Sequence, residues 1–149
     1  MLKQQLQEEL RQAMLTKDVL KTSVLRLLKS SITYYEIQKG GAGYKAIDED
    51  VLSVIQKEAK QRRDSIEEFK KANRRELVDK ETKELEILRT YLPEQMTEEE
   101  IKNLVKEAVN QTGAKSMQDM GKVMGLLMPK VKGKADGGLV SKIVKESLS

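Results

Sequence analysis

Apolar residues recur along this chain at intervals of three and four, the spacing that gathers one face of an α-helix, and nowhere alternate as a half-buried strand would. Leu2, Leu6, Leu10, Ala13 and Met14 form the first series and predict a helix ending near Lys17. From about Asp18 a second series, Leu20, Val24, Leu27, Leu28, Ser31, Ile32 and Tyr35, runs on to Gly40-Gly41-Ala42-Gly43, a flexible breaker. Asp48 is placed to cap a long third helix, with Glu49 and Asp50 favourable in its positive first turn. The inward stripe of that helix is Val51, Val54, Ile55, Ile66 and Phe69. A fourth helix carries Leu77, Glu81, Leu85, Leu88 and Leu92, and Pro93 ends it.

The clearest boundary follows. Thr97-Glu98-Glu99-Glu100 reads as a capping box, in which the threonine accepts from the third helical amide and the glutamate accepts in return. Ile101, Leu104, Val105, Ala108 and Val109 continue as a fifth helix, closed by Gly113 in a left-handed cap. Ser116 to Asp119 repeats the capping logic for a sixth helix, and Asp136 caps a seventh whose inner face is Leu139, Val140, Ile143 and Val144. The expected fold is all-α with two small helical domains. Residues 1–92 form a helical bundle with a long third helix, and residues 94–149 form a three-helix domain.

Composition narrows the chemistry. With no histidine and no cysteine, imidazole catalysis, thiolate nucleophiles and ordinary zinc sites drop out. No glycine-rich phosphate loop or nucleophile elbow appears, so the reading assigns no catalytic residue, no cofactor and no metal. No apolar run is long enough to span a bilayer, and the N-terminus lacks the apolar core of a signal peptide, from which a cytoplasmic protein without a membrane partner is expected. Nothing in the residues fixes the oligomeric state. Gln56 to Glu76 holds the densest charge, and i,i+4 opposites such as Lys60 with Asp64 and Glu67 with Lys71 suit a solvated helix face. Glu58 and Arg62 lie on the apolar stripe of the third helix and are expected to pair there, half-buried, fixing helix register. Gly121 and Gly125, one turn apart, are expected to let another backbone approach closely.

The remaining signal is basic. The net charge of +4 rests on 28 basic and 24 acidic residues and is largely balanced. From Lys115 onward, however, seven lysines face only Asp119, Asp136 and Glu146, while residues 94–114 run acidic. Lys130, Lys132 and Lys134 stand in a Pro- and Gly-punctuated stretch before the seventh helix. There Gly133, Gly137 and Gly138 would admit a phosphate to the helix amides. Against that, Asp136 satisfies the same amides and repels anions, which would leave the lysines as solubilising groups. Lysines contact phosphate as point charges without reading sequence, which suits the backbone of a folded RNA.

The stretch Met120-Gly-Lys-Val-Met-Gly to Met128-Pro-Lys-Val-Lys-Gly-Lys-Ala-Asp-Gly resembles the signature of the YqeY family. Leu25-Arg-Leu-Leu-Lys-Ser, the segment Gln56 to Ala72, and Tyr91-Leu-Pro-Glu-Gln resemble it too, so the likeness spans nearly the whole chain. That family is related to the tail domain of the B subunit (GatB) of tRNA-dependent amidotransferase. Met128 to Asp136 echoes the tail's V-M-K-x-T-K-G-K-A-N pattern, with Asp136 where the tail commonly has asparagine. The resemblance implies tRNA contact without catalysis, because the phosphorylating cradle and the ammonia-releasing subunit are other parts of that enzyme. The lysines it points to are Lys122, Lys130, Lys132, Lys134 and Lys142. An alternative is a module that docks on an aminoacyl-tRNA or amidotransferase assembly through the charged third helix. A third reading, a carbon–nitrogen ligase using glutamine as amide donor, would follow from the family label and lacks the groups to act as nucleophile or base.

Overall fold

The computed structural model describes residues 1–149, which form seven α-helices and no strand. The helices are α1 (Leu2–Leu15), α2 (Val19–Gly40), α3 (Asp48–Lys71), α4 (Arg75–Arg89), α5 (Glu98–Thr112), α6 (Met120–Val131) and α7 (Gly137–Leu148). Short 3₁₀ turns, Gly41–Gly43 and Met117–Asp119, precede α3 and α6. The chain divides into two compact units, Met1–Leu92 and Pro93–Ser149. No helix is long and apolar enough to cross a membrane.

In the first unit, tight turns fold α1 onto α2 and α3 onto α4. Asp18 caps α2 by accepting from the Lys21 N–H at 3.1 Å, while Lys17 and Asn73 take left-handed φ values of 59° and 55° in the two turns. Leu6, Leu10, Val24, Leu25, Leu28, Ile32, Val51, Val54, Ile55 and Leu88 make the main core; Ala59, Ile66 and Leu85 continue it along the α3–α4 pair. Two residues expected inside are not. Met14 and Leu27 are about half exposed, and Leu25 takes the inner position that the periodicity gave to Leu27. The α2 stripe is centred on Leu28 and Ile32, which puts Leu25 one turn inside and Leu27 on its edge.

The third helix is capped differently from expectation. Asp48 is its first helical residue, and Asp50 accepts from the Ile47 N–H at 3.1 Å. Asp48 instead accepts from the Leu2 N–H at 2.9 Å, tying down one of the unpaired amides that open α1. Asp50 is the hub of a buried network. It accepts from Tyr35 Oη at 2.9 Å, Lys39 Nζ at 2.9 Å and Tyr44 Oη at 2.5 Å. Burial pushes its carboxyl upward, but the bonds from Tyr44, Lys39, Ile47 and Tyr35 outweigh that and hold it well below the carboxylate range. Lys39 also lies 5.1 Å and 5.6 Å from the Tyr44 and Tyr35 ring centres. Glu36, equally buried, accepts from the Ala46 N–H and Lys3 Nζ. The chain between α2 and α3 is thus held by two buried carboxylates.

The Glu58–Arg62 pair does not form. Glu58 accepts from Ser31 Oγ at 2.7 Å, and Arg62 reaches across to α4, 2.8 Å from Glu84 and 3.2 Å from Glu81. Each of the two turns to a facing helix, Glu58 to α2 and Arg62 to the two carboxylates of α4. The surface pairing of Lys60 with Asp64 does occur, at 3.7 Å, while Glu67 turns to Lys70 at 3.8 Å.

Candidate nucleic-acid interface

In the second unit the inner faces of α5, α6 and α7 meet in one core of Ile101, Val105, Val123, Leu127, Val131, Val140 and Val144. The box at Thr97 is formed, with the Glu100 N–H and Thr97 Oγ1 3.2 Å apart and the reciprocal Thr97 N–H to Glu100 bond also at 3.2 Å. Gly113 ends α5 with φ of 67°. Ser116 makes no capping bond; Asp119 accepts from the Lys115 N–H at 3.0 Å. That bond, the Ser116 N–H and the nearby Lys122 and Lys115 charges lower the Asp119 carboxyl.

Proline does not end the sixth helix. α6 runs through Pro129 to Val131, so Lys130 is in its last turn and not in a loop. The missing proline N–H leaves the Gly125 carbonyl without its helical partner, and Gly125 is on the solvent side, where water can reach it. Gly121 and Gly125 accordingly have nothing within 4 Å of the place where a Cβ would stand, so they do not seat another backbone.

After α6 the chain alternates. Val131, Gly133 and Ala135 are buried, whereas Lys130, Lys132 and Lys134 are exposed. This turn is pinned to the leader of α5. Gln95 Nε2 donates to the Gly133 carbonyl at 3.0 Å, and the Met96 N–H donates to the Lys134 carbonyl at 2.8 Å. Gly133 holds φ of 77°, a left-handed conformation that glycine adopts without a Cβ penalty. Asp136 then caps α7, accepting from the Gly138 N–H at 3.2 Å. One of the amides that might have met a phosphate, that of Gly138, is therefore served by Asp136 itself.

The five lysines singled out by the sequence are all exposed. Lys130 comes from the last turn of α6, Lys132 and Lys134 from the turn that follows, Lys122 from the outer face of α6 and Lys142 from the outer face of α7, opposite Val140 and Val144. None of Lys122, Lys130, Lys134 and Lys142 has a carboxylate within ion-pairing distance, whereas Lys3, Lys21, Lys39 and Arg62 of the first unit do. What sequence reasoning missed is the pin: Gln95 and Met96 carry no charge pattern that would mark them.

A model of the family described as Yqey-like protein matches residues 3–148. The chain belongs to the YqeY family. Its relatives include the altered inheritance of mitochondria protein 41, mitochondrial, of Pyrenophora tritici-repentis. That protein is 37% identical over 148 residues, covering 95% of this YqeY-family chain and 77% of the fungal protein. The protein of the same name from Lachancea thermotolerans is 43% identical over 88 residues, 58% of this chain, which thereby spans about half (46%) of that relative. A shorter match, 40% identical over 57 residues, joins 36% of the chain to 9% of a glutamyl-tRNA(Gln) amidotransferase subunit of Methanobrevibacter smithii. These relatives overturn the cytoplasmic expectation, since the fungal proteins are named as mitochondrial. The expectation rested on the lack of an apolar leader, and mitochondrial targeting segments are amphipathic and Arg-rich, so that lack does not bear on the question.

Proposed function

We propose that this YqeY-family chain is a non-catalytic tRNA-binding protein, and that Lys122, Lys130, Lys132, Lys134 and Lys142 hold phosphates of the tRNA backbone. The observation that carries the reading is the end of α6 with the pinned turn after it, which project Lys130, Lys132 and Lys134 outward from alternate positions, the turn being fixed by hydrogen bonds at Gly133 and Lys134. Pre-positioned cations lose less freedom on binding than flexible ones. The relative named as a subunit of a glutamyl-tRNA(Gln) amidotransferase supports tRNA as the polyanion. The same relative favours a second reading, in which the chain docks on an amidotransferase assembly.

Salt separates the two. If phosphates are the ligand, log affinity for tRNA falls linearly with log salt, and the slope shrinks by somewhat under one unit for each lysine removed. The triple variant Lys130→Ala, Lys132→Ala, Lys134→Ala should stay folded and lose most tRNA binding, equally across tRNA species, in fluorescence anisotropy at low salt. The matched change at Lys70 and Lys71 of α3 and Arg74, just before α4, should matter less. Absence of wild-type binding at about 50 mM salt defeats the proposal, as does a greater loss from the α3 variant.

A further inference from the structure

The second helix is apolar on two faces. One packs in the core; the other, running through Val19, Leu27, Tyr34 and Ile37, meets no other element, and these residues are 79, 51, 65 and 57% exposed. From Val19 to Ile37 the stripe is about 27 Å long at 1.5 Å per residue. Met14 and Leu15, 49 and 67% exposed, extend it from the end of α1. Scattered surface leucines are ordinary, but exposed apolar side chains aligned on one helix face, with two more beside them from α1, mark a contact surface. Between α1 and α2 it deepens into a groove of about 700 Å³, walled by Met14, Val19 and Leu27 with the small Ser30 between larger neighbours.

Its charge has one sign. Lys17 and Arg26 line the groove and no carboxylate does. Along α2, Lys21 is occupied by Glu9 and Lys39 by Asp50, while Arg26, Lys29 and, in the turn before the helix, Lys17 have no ion pair. The sole acid of α2, Glu36, is buried against Lys3. Arg26 donates to Met14 Sδ, at 3.9 Å. A second copy of the chain would set these cations against themselves, because an isologous contact pairs a patch with its own image. A bilayer surface wants an unbroken convex apolar face, and here hydroxyls of Ser23 and Ser30 interrupt the middle of the stripe and the surface is concave. The groove instead matches a helix that brings its own apolar knobs at three- and four-residue spacing and acidic residues on their flank.

We propose that the outer face of α2, with the end of α1, docks an acidic amphipathic helix of a partner protein. This site is independent of the C-terminal lysines. The test uses the full chain and a fluorescein-labelled peptide of about 18 residues with leucines at helical spacing flanked by glutamates. The same peptide with lysine for glutamate is the comparison. The acidic peptide should bind at least about tenfold more tightly, and Val19→Glu with Leu27→Glu should weaken it by about tenfold or more. Arg26→Glu with Lys17→Glu should reverse the preference toward the basic peptide. Both double variants should keep wild-type helicity by circular dichroism and unchanged affinity for tRNA, since all four side chains are exposed. Equal binding of the two peptides overturns the proposal, as does binding indifferent to Leu27→Glu. It also fails if Leu27→Glu instead dissolves a dimer of the chain seen by sedimentation, or abolishes binding to anionic phosphatidylglycerol vesicles or to tRNA.

Discussion

Replacing Arg62 by methionine keeps the apolar stem of the side chain and removes the guanidinium, its charge and its N–H donors together, which breaks the ion cluster joining α3 to α4. Glu84 is 4% exposed and stands 2.8 Å from the guanidinium; Glu81, 3.2 Å away, and Arg62 itself retain some contact with water. Removing one partner of a buried pair leaves an uncompensated charge and costs about 3–5 kcal/mol. With two of the three groups partly hydrated, the loss belongs at the lower end, about 3 kcal/mol. The double variant Arg62→Met, Glu84→Met leaves no fully buried charge behind, so it should recover at least about 2 kcal/mol of that loss. Glu58→Ala gives the contrast. It forfeits one hydrogen bond to Ser31 and no ion pair, and should cost about 1 kcal/mol. All four tyrosines lie in residues 1–92 and the chain has no tryptophan, so tyrosine fluorescence during urea unfolding reports on this unit alone. The reasoning fails if Arg62→Met costs less than about 0.5 kcal/mol, the range of surface changes, or if the two single losses simply add in the double variant.

Acid should destabilise the same unit. The Asp50 and Glu36 carboxyls are held below their ordinary values, so each stabilises the fold above about pH 4, and that contribution is lost as the pH falls further toward their folded values. Stability from tyrosine-detected urea titrations should decline from about pH 5 to about pH 3, with a shallower decline in Asp50→Asn; an unchanged slope in that variant would remove Asp50 from the account. In the second unit, Gly133→Ala puts a Cβ on a residue with φ of 77° and should cost about 1–2 kcal/mol by circular dichroism melting. The tyrosine-detected transition should not move, and a loss seen there but not in the helical signal of residues 93–149 would refute it.

What was legible along the chain is what is decided locally. The number of helices, the box at Thr97, the left-handed end at Gly113 and the cap at Asp136 depend on residues close in sequence, and the structure places them where periodicity and capping chemistry put them. Some errors are local, such as the cap expected at Ser116, but two fall where a partner comes from far along the chain. Arg62 was given to Glu58, four residues away, and belongs to Glu81 and Glu84, because which neighbour a long side chain meets depends on the helix packed against it. Asp48 was given to the third helix and serves Leu2, 46 residues away. The apolar outer face of α2 was hidden in the periodicity itself. Leu27 and Leu28 both fit a helical stripe, and only packing distinguishes the buried residue from the exposed one.

The lysines were legible as a cluster and illegible as a shape. Their number and the scarcity of acids around them are composition, whereas their outward alternation depends on Gln95 and Met96 gripping the turn from a segment about 38 residues away. Asp136 shows why charge counting alone misjudges such a site. Counted in sequence, it subtracts one charge beside three lysines. In the fold its carboxylate faces the first amides of α7 and accepts from the Gly138 N–H, so its negative charge is set against the positive end of that helix. An asparagine there, as in the amidotransferase tail, would cap the helix through its side-chain oxygen and leave the turn unchanged. Asp136→Asn should therefore change the electrostatics alone. It should strengthen tRNA binding by a small factor that fades as salt rises, with no change in melting beyond a few tenths of a kcal/mol. A gain in affinity that persists undiminished at about 0.5 M salt would mean that Asp136 acts by geometry, and the turn rather than its charge would then be the determinant.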